Sequence, residues 1–486
     1  MISFIISLLA LIVGYFLYGS FVERLFGASK ERKTPAFTHS DGVDYVPMHW
    51  SKAFLIQFLN IAGLGPIFGA IMGAMYGTAS FLWIVIGTIF AGATHDYVSG
   101  MLSVRNAGAS LPELVGQQLG SGVKQFLRFF TVLLLILVGA VFISGPAGLL
   151  NGLVPTISSM WWIVIVFAYY ICATLLPIDK LIGRLYPVFG FALLFMALGI
   201  LIAMFWNNAP IPEIPEGLSV KHPQHLPIFP MMFVSIACGA ISGFHATQSP
   251  LMARCITNER LGKRVFYGAM VAEGVVALIW AAAASSFFGG VGGLQNYVAS
   301  LPKTANAAAE VVNLISHSWL GIIGGALAMI GVIAAPITSG DTALRSARLI
   351  VADILHIEQK SLLKRIAISL PLFIVCFVLL QMNFDILWRY FAWSNQTLSV
   401  FTLWAVTLWF SRREISSKAL RFSYIITLIP AIFMTSVCIT YILYAPEGLR
   451  LPYMLSVICG CGLSLAFAVW FFWYKHKHPQ TIKSLK

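Results

Sequence analysis

Six ionisable residues lie within or at the ends of long apolar runs of this chain: His95 and Asp96, His245, Glu273, and Asp341 with Arg345. Ionisable groups at membrane depth are costly and are functional suspects by default. A proton carrier must change charge near physiological pH, which histidine does unaided and a carboxylic acid does when it is desolvated. Asp96, Asp341 and His245 are therefore candidate coupling groups. Each has a plainer structural reading. Asp341 and Arg345 are four residues apart and can pair as helix neighbours at the membrane edge. His95 and Asp96 stand where a span meets the cytoplasm and can form its end cap, and Glu273 can pair with a polar neighbour for packing alone. His245 is the strongest functional candidate, because it sits in the polar, glycine-bearing stretch from Ser242 to Gln248.

The elements that hold these residues are membrane helices. Of 486 residues, 59% are hydrophobic and 10% charged, where a soluble domain carries roughly 25% charge. Runs of about 18 or more apolar residues place thirteen spans near 2–22, 51–77, 79–101, 125–150, 160–177, 187–206, 230–252, 265–288, 319–340, 366–382, 393–410, 422–444 and 453–474. The first run lacks the basic region and cleavage site of a signal peptide and is expected to remain as a helix. With the N-terminus outside, twenty-seven of the 31 Lys and Arg fall in cytoplasmic segments, among them Arg345 and Arg348 after the ninth span. Only Lys221, Lys303, Arg389 and Arg450 are left outside. That asymmetry is what the positive-inside rule requires, and it sends the C-terminus to the cytoplasm. It also accounts for the formal charge of +13 without nucleic acid, since no basic face or RNA-binding motif is present. The seven cysteines give neither a disulfide framework nor a metal site.

Two spans read as broken. In span 2 the glycines Gly63, Gly65 and Gly69 surround Pro66, and Gln57 and Asn60 precede them; in span 7, Gly239, Ser242 and Gly243 precede His245, Thr247, Gln248 and Pro250. Proline lacks an N–H and disfavours helix at the residue before it. Backbone interrupted at membrane depth must line a protein-enclosed or wet cavity. A packing kink is the alternative, since glycine also lets membrane helices approach closely. The two breaks lie five spans apart, and that odd offset inverts the second relative to the first. This is the pattern of a five-plus-five inverted-repeat transporter, with half-helix ends aimed at substrate and coupling ion. The expected fold is thus an all-α, polytopic, leucine-transporter-like bundle. Residues 51–206 and 230–410 would be its repeats, 1–50 an extra N-terminal helix and loop, and 422–474 two additional helices. By the same analogy, Thr338 and Ser339 in span 9 are candidate sodium ligands; ordinary hydroxyl bonding at a helix end is the other reading.

Several stretches resemble the carbon starvation protein A family. IACGAISGFH at Ile236–His245 is closest to that family's hallmark segment, and FLNIAGLGPIFG at Phe58–Gly69, AGATHDYVSGMLSVRNAGAS at Ala91–Ser110 and ITSGDTALRSAR at Ile337–Arg348 fit it too. WSNQTL at Trp393–Leu398 is similar to a late aromatic-Asn-Gln element of the family. The resemblance implies a bacterial inner-membrane transporter linked to nutrient starvation and to uptake of peptides and of pyruvate, with proton coupling favoured. The chain is shorter than the family's longer members, and the part beyond Trp409 does not map onto them.

No His-Glu-x-x-His zinc motif, P-loop or nucleophile elbow is present, so neither an enzyme nor an ATP-driven pump is expected. A channel would favour a continuous polar stripe, and a sensor an appended signalling domain. The expected function is secondary uptake of a small carboxylate such as pyruvate, with short peptides as the alternative. Gly63, Gly65, Pro66, Ser242, Gly243, His245, Thr247 and Gln248 are the expected substrate site; His95, Asp96, Thr338, Ser339 and Asp341 are the expected ion-coupling residues. No cofactor is expected beyond a coupling proton or sodium ion, the choice between them staying open, and the partners are membrane lipid and a small-molecule substrate. Oligomeric state is left open.

Overall fold

The computed structural model describes residues 1–42, 45–175, 178–302, 305–357, 359, 361–413 and 422–477. Of the basic residues counted above, Lys303, Lys360, Lys418, Arg421, Lys483 and Lys486, and the side chains of Lys180 and Arg184, lie outside the described residues. Among the described residues, nine helices are long and apolar enough to cross a bilayer, and a bent pair in span 2 makes a tenth. The other three expected spans are helical as well. Span 5, Ser159–Leu175, is short; span 7 is divided into pieces; span 11, Phe384–Arg412, carries Asp385, Arg389, Asn395 and Gln396.

Both expected breaks are present. Span 2 runs as Trp50–Ala62 and resumes as Gly65–Ala74 at 56° to it. Gly63 makes the break at φ 46 and ψ −136, backbone that residues with a Cβ rarely adopt. Span 7 opens at Ile228 and contains a short helix, Ala237–Ala240. It then passes through extended Ile241 and Ser242 into a second half, Gly243–Ala253. Around these, span 4 (Ser121–Leu153) packs along span 9 (Ala307–Leu355), with Leu344 seated against Gly139. Small residues at such crossings bring backbones close where lipid offers no hydrophobic drive. Apolar side chains such as Ile6, Phe16, Leu465 and Val469 are exposed on the bundle's outer helices, which is where acyl chains would cover them.

Several expected boundaries are corrected. Span 3 runs from Ala79 to Arg105, so His95 and Asp96 lie within the helix, fully buried, and do not form an end cap. Span 9 continues to Leu355, with a non-helical residue at Gly321. Thr338, Ser339 and Asp341 are therefore inside a helix and not at its C-terminus, and Arg345 and Arg348 are buried along it instead of lying in a loop. The apolar window ended too soon because these stretches bury polar residues against other helices. For the same reason span 11 begins at Phe384, before the expected 393. Two short helices, Leu111–Leu119 and Val291–Ser300, occupy stretches expected as loops.

Candidate functional site

The two breaks meet. Gly65 of span 2 lies so close to Cys238 of span 7 that an added Cβ would stand 2.6 Å from its Sγ. Gly239 faces Pro66 from the other side of the contact. The loose backbone ends of the breaks are taken up by neighbouring helices. Thr88 of span 3 donates to the Gly239 carbonyl at 3.1 Å. Asn395 Oδ1 of span 11 accepts from the Phe244 N–H at 2.6 Å and from Ser242 Oγ at 3.0 Å, serving as an N-terminal cap supplied from another helix. Ser339 Oγ of span 9 donates to the Leu59 carbonyl at 2.8 Å, four residues before Gly63. Buried polar groups without such partners would cost roughly 1–3 kcal/mol each.

A chain of ionisable side chains passes through the span 7 break. His95 Nδ1 lies 2.8 Å from Asp96 Oδ1, and His245 Nδ1 lies 2.7 Å from Asp96 Oδ2. On the other side of the ring, His245 Nε2 lies 3.4 Å from Glu273 Oε2 of span 8, Glu259–Phe287. All four side chains are fully buried. Spans 3, 7 and 8 are thereby tied at one point. Cys238, His245 and Glu273 also offer three donor atoms within 4.8 Å of one another, a spacing that a metal ion would accept. The sequence led to no metal site; His245 Nε2 and both Glu273 oxygens are buried without a hydrogen-bond partner of good geometry.

Of the expected substrate residues, Ser242, Gly243, His245, Thr247 and Gln248 share one half-helix and its entry, while Gly63, Gly65 and Pro66 line the opposing break. Gly63 lies against the Phe142 ring, 2.5 Å from where its Cβ would be, and Gly243 lies against the backbone of Asn395 and Ser399. Thr247 donates to the Phe244 carbonyl at 2.6 Å, and Gln248 donates to Thr247 at 3.0 Å. The Oε1 atoms of Gln57 and Gln248 and Oδ1 of Asn60 are buried without a hydrogen-bond partner. The expected ion residues split into two groups. His95 and Asp96 join His245, whereas Asp341 pairs with Arg345 at 3.6 Å, both buried. Thr338 donates within its own helix to Ala335.

Asn395 and Gln396, of the WSNQTL stretch, tie span 11 to span 7: Asn395 is a cap and Gln396 donates to the Phe233 carbonyl. Sequence reasoning missed Cys238 and Thr88 as neighbours of the break. Neither has a sequence signal, since a cysteine or threonine in an apolar run is ordinary. Glu273 did carry one, as a lone carboxylate in an apolar helix.

Comparison with known proteins places this architecture. The sequence model of the family "Carbon starvation protein CstA" matches residues 1–152 and 149–321. An uncharacterised membrane protein of Haemophilus influenzae is 44% identical over 351 residues, 62% of this chain and 95% of that one. The peptide transporter CstA of Campylobacter jejuni is 28% identical over 378 residues, 63% of this chain and 52% of that one. The pyruvate/proton symporter BtsT of Escherichia coli is 26% identical over 343 residues, 56% of this chain and 47% of that one. This chain thus spans about half the length of these two named transporters. Among solved structures, a manganese transporter of Eremococcus coleocola overlays with TM-score 0.56 at 14% identity, covering 89% of this chain and 97% of that one. MhsT bound to L-phenylalanine overlays with TM-score 0.56 at 15% identity, covering 79% and 97%. These likenesses establish the leucine-transporter-like fold alone. With its family match across more than half the chain and a relative covered almost end to end, this multi-span helical membrane protein belongs to the carbon starvation protein CstA family.

Proposed function

We propose that this protein is a secondary transporter that takes up a small carboxylate, pyruvate-like in size, through the junction of its two broken helices. The observation that carries this reading is the junction itself, where Gly65 and Pro66 meet Cys238 and Gly239 just before the half-helix Gly243–Ala253, and where side-chain oxygens of Gln57, Asn60 and Gln248 are buried without a hydrogen-bond partner. Non-helical backbone is tolerated at membrane depth where it lines a site. The side-chain amides of Gln57 and Gln248 carry N–H donors of the kind a carboxylate accepts. The named relatives, one a pyruvate/proton symporter and others peptide transporters, support transport and keep short peptides as a second substrate class. The chain would sit in the bacterial inner membrane with its N-terminus outside, in the orientation its basic residues favour. In this conformation Gln57, Asn60, His245 and Gln248 are at most 1% exposed. Substrate entry therefore requires the two halves to move apart, as in rocking-bundle transport.

The test is uptake of labelled pyruvate and of a labelled dipeptide into proteoliposomes under an imposed proton gradient and, separately, a sodium gradient. Wild type accumulates pyruvate under one gradient and His245→Ala does not. Folded wild-type protein that accumulates neither compound under either gradient overturns the substrate assignment.

A further inference from the structure

Glu273 is fully buried in span 8, and neither of its carboxyl oxygens accepts a hydrogen bond of good geometry. A bare carboxylate so placed would cost several kcal/mol. Around it stand His245 and Cys238 of span 7, Asp96 of span 3 and, behind Asp96, His95. No Lys or Arg among the described residues pairs with this cluster. Asp96 differs in kind, since an imidazole nitrogen is bonded to each of its two oxygens. The two carboxyl groups therefore occupy unequal environments at opposite edges of one imidazole ring.

The geometry points to Glu273 as one terminus of a proton relay that runs through His245 to Asp96, making the coupling ion of the proposed transport a proton. This rests on the transporter reading for its purpose, though not for its chemistry. In the starting state Glu273 holds the proton on its carboxyl group, His245 carries its proton on Nδ1, and Asp96 is ionised and accepts from it. In the transfer, the Glu273 proton passes to His245 Nε2 while the Nδ1 proton passes to Asp96 Oδ2. The products are a Glu273 carboxylate, neutral His245 in its other tautomer and a protonated Asp96. One proton has moved and the cluster's net charge is unchanged. The 3.4 Å gap to Glu273 must shorten to hydrogen-bond length for the first step.

The relay is tied to the moving part of the site. His245 belongs to the half-helix Gly243–Ala253, joined to the first half through extended Ile241 and Ser242, while Glu273 and Asp96 belong to continuous helices on either side. A shift of that half-helix lengthens or shortens both of its proton bridges. Substrate contact at Ser242–Gln248 would thereby gate the transfer.

Two measurements test this independently. Infrared difference spectra of the purified full-length protein, wild type against Glu273→Gln, should show the carbonyl stretch of a protonated buried carboxylic acid in wild type and its loss in the variant. This needs no substrate. In proteoliposomes, symport of one proton with a monocarboxylate is electroneutral, so one pH unit of inward gradient should concentrate pyruvate about tenfold. Glu273→Gln should bring that ratio to about one. Asp96→Asn is the second variant: it should keep the Glu273 carbonyl band while losing accumulation, because the acceptor is gone. An unchanged band in folded Glu273→Gln overturns the relay, and so does wild-type accumulation in either variant. If the band behaves as stated and no substrate accumulates even in wild type, the transporter assignment fails while the protonated Glu273 stands.

Discussion

Replacing Gly65 with alanine tests whether the two breaks truly touch. The new Cβ would overlap the Cys238 Cβ, stand 2.6 Å from its Sγ and 3.3 Å from its Cα. Carbon contacts settle at about 3.5–4.0 Å, so the broken helices must separate by about 1 Å or more. The thiol can rotate, but the Cys238 Cβ and backbone cannot yield without moving the short helix Ala237–Ala240. Overpacking of this kind costs about 1–3 kcal/mol, and the fixed neighbours place Gly65→Ala at the upper end. Thermal denaturation of the detergent-solubilised protein, scanned at one fixed rate, should show a clear drop in midpoint. Adding Cys238→Gly removes the opposing Cβ and should restore a large part of the loss, giving a coupling of about 1 kcal/mol or more between the two sites. If Gly65→Ala melts like wild type, or the double variant melts no higher than Gly65→Ala, the breaks do not meet as described.

Other outcomes follow from the same geometry. Asn395→Ala leaves the buried Phe244 N–H without its acceptor and should cost about 1–3 kcal/mol, read as a lower unfolding midpoint; an unchanged midpoint would show that the cap is not made. Asp341→Asn takes the opposite charge away from buried Arg345, which keeps its bond to the Ala173 carbonyl, and should cost up to about 3–5 kcal/mol, whereas the paired change Asp341→Leu with Arg345→Leu should recover most of it. A double variant as unstable as the single would mean that the pair serves a further structural contact. His222, in the loop between spans 6 and 7, has its pKa lowered by burial to about 4, and its ring lies 4.6 Å from that of Tyr76. The folded state thus holds it neutral, and the unfolded state takes up a proton at a higher pH. Its contribution is present above about 6.5 and is lost as pH falls toward 4. Melting curves of wild type should drop more steeply over that window than those of His222→Gln; parallel profiles would remove His222 as the cause.

The parts of this fold that sequence made legible are those governed by local rules. Apolar run length found the spans, and the Gly-Pro grouping at Gly63–Pro66 and the glycines around Ser242 found both breaks, because each reflects what backbone can do at membrane depth. What stayed hidden depends on tertiary neighbours. His95 and Asp96 looked like an end cap because a hydropathy window ends at polar residues, whereas the helix continues wherever other helices satisfy those residues. Likewise, His245 could be singled out from its own surroundings, but its two carboxyl partners lie 149 residues before it on Asp96 and on a separate span at Glu273. No local pattern links them.

The break residues and the scaffold are joined by bonds of a revealing kind. Asn395 accepts from Phe244 N–H, Thr88 donates to the Gly239 carbonyl and Ser339 donates to the Leu59 carbonyl. Each joins one broken end to a continuous helix, drawn from spans 11, 3 and 9. A continuous helix would satisfy those backbone groups internally and could not part from its neighbours by exchanging partners. Here each neutral bond is worth about 0.5–1.5 kcal/mol net, so opening the junction to water or substrate exchanges a few kcal/mol of contacts. That is the scale on which a minor open state remains populated and a ligand can shift the balance. The buried Asp96–His245 bridge is the exception, since parting its members would take a hydrogen-bond donor away from an ionised, buried carboxylate and cost far more. Moving a proton so that His245 and Asp96 are both neutral removes that obstacle, which gives a physical reason for the proton bridge to lie at the break.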